Sequence, residues 1–101
     1  LGSITNLRED CIVEAPAIID TRGIHMKTVG PMPLGIVQLL QQEIAIQDLV
    51  SDAAITGDHE TAIQALVLDG TVPNPQIARN IFYEMLELQQ EYLPQFNNNT
   101  E

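Results

Sequence analysis

A chain of 101 residues with fourteen acidic and four basic side chains carries a net charge of −10, which excludes a polyphosphate partner, since nucleic-acid binding needs Lys and Arg to neutralise the backbone. Anionic membrane surfaces are disfavoured on the same ground, no apolar run approaches the roughly 20 residues of a bilayer span, and the single cysteine, Cys11, rules out an internal disulfide. With 45% apolar residues and no Trp the core has to be aliphatic, and the length suffices for one domain or part of one, expected in the cytoplasm.

Residues 1–8 read as a loop, and Cys11 to Asp20 (CIVEAPAIID) as a strand interrupted at Pro16, where the ladder loses a donor. Thr21-Arg22-Gly23 is a turn, and Ile24 to Val29 alternates as a second strand, so the two predict a β-hairpin. Gly30-Pro31-Met32-Pro33 ends it. From Leu34 to about Ile55 the periodicity is helical with a narrow polar side formed by Gln38, Gln41, Asp48 and Asp52. A helix that apolar is expected to be buried on more than one side, and a chain this short hardly supplies the cover, which points to a partner beyond these residues.

Gly57 is a candidate helix terminator and Asp58 a cap for a second helix, His59 to Leu68, with Ile63, Leu66 and Val67 on one face. His59, next to that cap, reads as a surface residue. Asn74-Pro75 starts a third helix, which places Ala78, Ile81, Phe82, Met85, Leu88 and Tyr92 on one stripe and stops at Pro94. Gln95 to Glu101, with three consecutive Asn, reads as a solvated tail, flexible over 97–101. The class is therefore α+β, a β-hairpin followed by three helices.

Three candidates carry chemistry on paper. Cys11 and His25 fall on adjacent strands, and thiolate with imidazole suits a transition metal, although two ligands do not make a site. The bland alternative has Cys11 as a small buried apolar residue and His25 on the strand surface. Glu14 lies in an apolar strand, where its carboxylate needs a partner; Lys27 across the hairpin is the simpler choice, an active-site cleft the other. Glu43, Gln47 and Ser51 recur at i, i+4 and i+8 on the apolar side of the long helix, as expected for a cleft or subunit interface. No Gly-rich phosphate loop, nucleophile elbow, CxxC pair or His-x-x-x-His occurs, so no catalytic, cofactor-binding or metal residue is assigned.

Several segments in order carry a resemblance: Gly2-Ser3-Ile4-Thr5-Asn6-Leu7 with Asp10-Cys11-Ile12-Val13-Glu14-Ala15-Pro16, then Val29-Gly30-Pro31-Met32-Pro33, then Glu43 through Asp58 (EIAIQDLVSDAAITGD). Ala62-Ile63-Gln64-Ala65-Leu66-Val67-Leu68-Asp69 and Glu91-Tyr92-Leu93-Pro94-Gln95-Phe96 follow. Across residues 2–96 the chain resembles the C-terminal domain of glycoside hydrolase family 4, with Ala15, Met32, Ser51 and Gly70-Thr71 departing from the usual residues. The resemblance implies that residues 1–96 complete a dehydrogenase-like enzyme whose Rossmann domain precedes them. It implies NAD and a divalent metal, commonly manganese, in the full-length enzyme. Such enzymes cleave glycosides by oxidation at C3, elimination, water addition and re-reduction, outside the two-carboxylate scheme. The metal-binding Cys and His and the Tyr base belong upstream and match nothing here, so the fragment alone is expected to be inactive and to bind no cofactor.

Asn6 and Glu14 remain as residues expected near the cleft, and Glu43, Gln47 and Ser51 as residues of a domain or subunit interface. A homo-oligomer, dimer or tetramer, is expected. The stretch from Glu43 to Gln47 looks closer to members acting on unphosphorylated α-glycosides, whereas Thr71-Val72-Pro73-Asn74 looks like phospho-glucosidase members; the expectation favours the unphosphorylated branch. The rival reading is a stand-alone acidic module that dimerises through its long apolar helix.

Overall fold

The computed structural model describes residues 2–97. Among them the order is β1 (Ala17–Asp20), β2 (Gly23–Met26), α1 (Leu34–Thr56), α2 (His59–Asp69) and α3 (Pro75–Gln89), followed by single 3-10 turns at Gln90–Tyr92 and Pro94–Phe96. The α+β order of a hairpin and three helices is the one expected. The chain forms two compact units, Leu1–Ile44 and Ala45–Glu101, and α1 belongs to both.

In the first unit the strands are shorter than expected. β1 and β2 pair antiparallel, with Ala17 opposite Met26 and Ile19 opposite Ile24. The ladder begins only after Pro16, which has no N–H to give, although its carbonyl still accepts from Lys27 N at 2.8 Å. Beyond Lys27 the chain leaves for a different partner: Val29 N donates to Ser3 O at 2.7 Å, Thr5 N donates to Gly30 O at 3.1 Å, and Ile4 bridges Gly30 in parallel. The N-terminal segment thus takes the hydrogen bonds that residues 12–15 would have needed to continue the strand. The turn closes on Gly23 at φ +120°, a conformation open to glycine and almost nothing else, while Arg22 N donates to Asp20 Oδ1 at 2.7 Å.

The core of this unit is Ile4, Leu7, Val37 and Ile44, with Cys11, Val13, Met32 and Leu40 packed against it. Cys11 is accordingly a small apolar packing residue. No hairpin residue from Pro16 to Val29 is buried.

In the second unit local capping sets the helix boundaries. Thr56 closes α1, its hydroxyl donating to Asp52 O at 2.8 Å and accepting from Asp58 N at 3.2 Å. Asp58 caps α2 by accepting from Thr61 N at 2.8 Å, and Asn74 caps α3 by accepting from Ile77 N at 2.9 Å, with Pro75 at the first helical position. Ile63, Ala65 and Ala78 are buried, and small side chains at two of these positions let helices approach closely.

The Thr61 N–H, the largest influence on Asp58, holds its carboxyl below the usual carboxylate range. A depressed carboxylate contributes stability above its unfolded pKa and loses it as pH falls through the folded one. The start of α2 is therefore expected to loosen below about pH 4. Asp58→Asn keeps a capping acceptor without the charge, so its thermal denaturation should show a smaller acid step than that of the parent. Identical acid profiles would refute the assignment.

Two expectations need correction. The burial of α1 is incomplete within this chain: Val37, Ile44 and Ala53 are buried, while Leu34 is 74% exposed, Leu39 68%, Val50 54% and Ile55 80%. There is too little chain to cover the helix. Likewise Gln95 and Phe96 are not solvated tail. Pro94 denies a helical donor, α3 gives way to 3-10 turns, and the chain folds back so that Gln95 Nε2 donates to Ala54 O at 3.1 Å and Phe96 is buried. Asn97 is exposed; residues 98–101 of the expected flexible tail lie outside the described residues.

Candidate functional site

The first unit is organised around Asn6. Its side-chain amide donates to Met32 O at 2.9 Å and its carbonyl accepts from Met32 N at 3.0 Å, so one side chain satisfies both backbone groups of a residue 26 positions away. Asn suits this because its amide presents a donor and an acceptor side by side, as a paired strand would. The clamp fixes loop 2–10 beside Gly30–Pro33, and Arg8 Nε donates to Asp10 Oδ1 at 2.7 Å on its outer side. A recess of about 220 Å³ opens here, lined by Ser3, Ile4, Arg8, Cys11, Val13 and Met26.

The metal pairing and the ion pair considered for the hairpin are both absent among the described residues. The register sets His25 opposite Ile18, and Cys11 lies before the strand, in the core. His25 Nε2 instead meets Asp20 Oδ1 at 3.1 Å. Continuing the same register past Pro16 and Lys27 brings Glu14 opposite Val29, not Lys27; Glu14 is exposed and pairs with no cation among the described residues. Among the described residues no group of three or more His, Cys, Asp or Glu side chains lies close enough to hold a metal ion. This donor set does not fit a divalent metal.

Glu43, Gln47 and Ser51 are all exposed on α1. Neighbouring apolar positions on the same helix, Leu39 and Val50, are exposed with them.

The second unit holds a cluster the sequence reading did not anticipate. His59, expected at the surface, is half-buried among Phe82, Tyr83 and Phe96, with ring centroids 5.3, 5.6 and 5.8 Å away. Its Nε2 donates to the Phe96 carbonyl at 2.9 Å, since a carbonyl can only accept. In the neutral ring that leaves Nδ1 to accept from the Tyr83 hydroxyl at 3.4 Å. The signal for this was Phe96, an aromatic residue two positions after the Pro94 stop, where a true tail would be polar throughout.

Beside it Arg79 grips Glu60 with both arms of its guanidinium, Nη1 to Oε1 at 2.8 Å and Nη2 to Oε2 at 2.9 Å. That hydrogen bonding lowers the Glu60 carboxyl below its ordinary range and raises Arg79. The pair is exposed, so it orients more than it stabilises. It rims a hollow of about 500 Å³ between α2 and α3, floored by Ile63, Val67 and Pro75. A second groove, about 410 Å³, is almost wholly apolar and is lined by Val50, Ala53, Met85, Leu86 and Leu93 among others.

Among the described residues no helix is long and apolar enough to cross a membrane.

Comparison with known proteins agrees in detail with this architecture. The model of the family 4 glycosyl hydrolase C-terminal domain matches residues 1–72. A "Probable 6-phospho-beta-glucosidase" of Bacillus subtilis is 35% identical over 99% of the chain, which spans 23% of that protein. An alpha-glucosidase of Erwinia rhapontici is 39% identical over 91% of the chain, spanning 20% of that protein. Among solved structures, a 6-phospho-alpha-glucosidase from gut microorganisms in complex with NAD and glucose-6-phosphate superposes with a TM-score of 0.84 at 32% identity, covering 93% of this chain and 21% of that one. Another, in complex with NAD and Mn2+, gives a TM-score of 0.84 at 26% identity, covering 93% of this chain and 22% of that one. The chain thus spans about a fifth of the length of the relatives it matches.

Proposed function

The chain belongs to the family 4 glycosyl hydrolases, through their C-terminal domain, and from that membership we propose that the protein it forms part of cleaves glycosidic bonds of 6-phosphorylated sugars. The observation that carries the reading is the superposition over 93% of the chain on a 6-phospho-alpha-glucosidase holding NAD and glucose-6-phosphate. The 35% identity to a 6-phospho-beta-glucosidase supports the phosphorylated class without favouring an anomer. This replaces the unphosphorylated branch expected from the sequence, which retains the support of the Erwinia alpha-glucosidase at 39% identity.

NAD and a divalent cation are the cofactors of this proposal, supported by the complexes with NAD and Mn2+. Among the described residues no group of three or more His, Cys, Asp or Glu could hold the cation, and in this reading both groups are held by other parts of the polypeptide. In this reading the loop clamped by Asn6 and the exposed carboxylate of Glu14 border the cleft. Glu43, Gln47 and Ser51 meet another domain or subunit, supported by their exposure alongside uncovered apolar residues of α1.

The test is hydrolysis of paired p-nitrophenyl glucosides, with and without a 6-phosphate, by the full-length protein supplied with NAD and manganese. A site built around a phosphate rejects the analogue lacking it, so kcat/KM should favour the phosphorylated substrate by at least about 100-fold. Equal or faster turnover of the unphosphorylated glucoside would overturn the phosphorylated reading. The 101-residue chain alone should show neither turnover nor NAD binding by calorimetry.

A further inference from the structure

We draw no further inference here: the strongest candidate, the hollow of about 500 Å³ between α2 and α3 that the Arg79–Glu60 ion pair rims, carries nothing, because the chain spans about a fifth of the length of its relatives and nothing in the structure shows what covers that face.

Discussion

Alanine at Gly57 is expected to lower the unfolding free energy of the chain by about 3 kcal/mol, combining backbone strain with loss of a buried ring. Gly57 sits at φ +70°, where a non-glycine residue costs about 1–2 kcal/mol. A β-carbon there would also fall on the Gln95 carbonyl and come within 3.3 Å of Phe96 N. The helix end and the returning turn are both backbone and cannot swing aside as a side chain would. The strain is relieved only by expelling the turn, which gives up the burial of Phe96 and the Gln95 bond to Ala54. Urea denaturation followed by circular dichroism measures the loss, with Gly35→Ala as control, since nothing lies within 4 Å of a β-carbon at Gly35. A change below about 1 kcal/mol at Gly57 would show that the turn accommodates the methyl group.

Phe96→Ala is expected to cost a similar amount, about 3 kcal/mol, at the lower end for a buried aromatic because a terminal turn can detach instead of leaving a rigid cavity. Phe96 is 5% exposed and packs on Phe82 and His59 at centroid distances of 5.7 and 5.8 Å, and its carbonyl takes the His59 proton. Losing the ring frees that carbonyl and opens the apolar groove to water. The readout is again urea denaturation, joined by nuclear magnetic resonance of the His59 ring. A stability change below about 1 kcal/mol with an unmoved His59 signal would mean that the turn is not held by this ring. Both substitutions release the same contact, so the double variant should cost little more than either single one.

Much of the fold was legible in short-range chemistry. Asp58 and Asn74 announced helix starts because a side-chain acceptor three residues before a free N–H acts within one turn, and Pro75 agreed with the second of them. The break at Pro16 was readable for the same reason, since a missing donor is a property of the residue itself. The ordered segments across residues 2–96 carried the family, because a domain's packing constrains many positions at once.

What was misread depends on residues far apart in the chain. The strands ended early because Ser3 and Thr5, more than twenty positions away, took the bonds at Val29 and Gly30. The Glu14–Lys27 pair failed on register, which a strand's pattern leaves open by whole residues until a turn and an edge fix it. His59 and Phe96 met only because Pro94 turned the chain back through 3-10 geometry.

The apolar excess of α1 lies between these cases. Composition by itself determined that residues 34–56 carry more apolar surface than a chain of this length can cover, and the exposed Leu34, Leu39, Val50 and Ile55 bear that out. The tertiary structure alone decided which of its residues meet the core, how the hairpin presents a single apolar face, and that Asn6, Gly57 and Phe96 hold the ends of the chain in place. Capping and burial demand act within a few residues or on bulk composition, whereas register and long-range closure are set by contacts that exist only once the chain has folded.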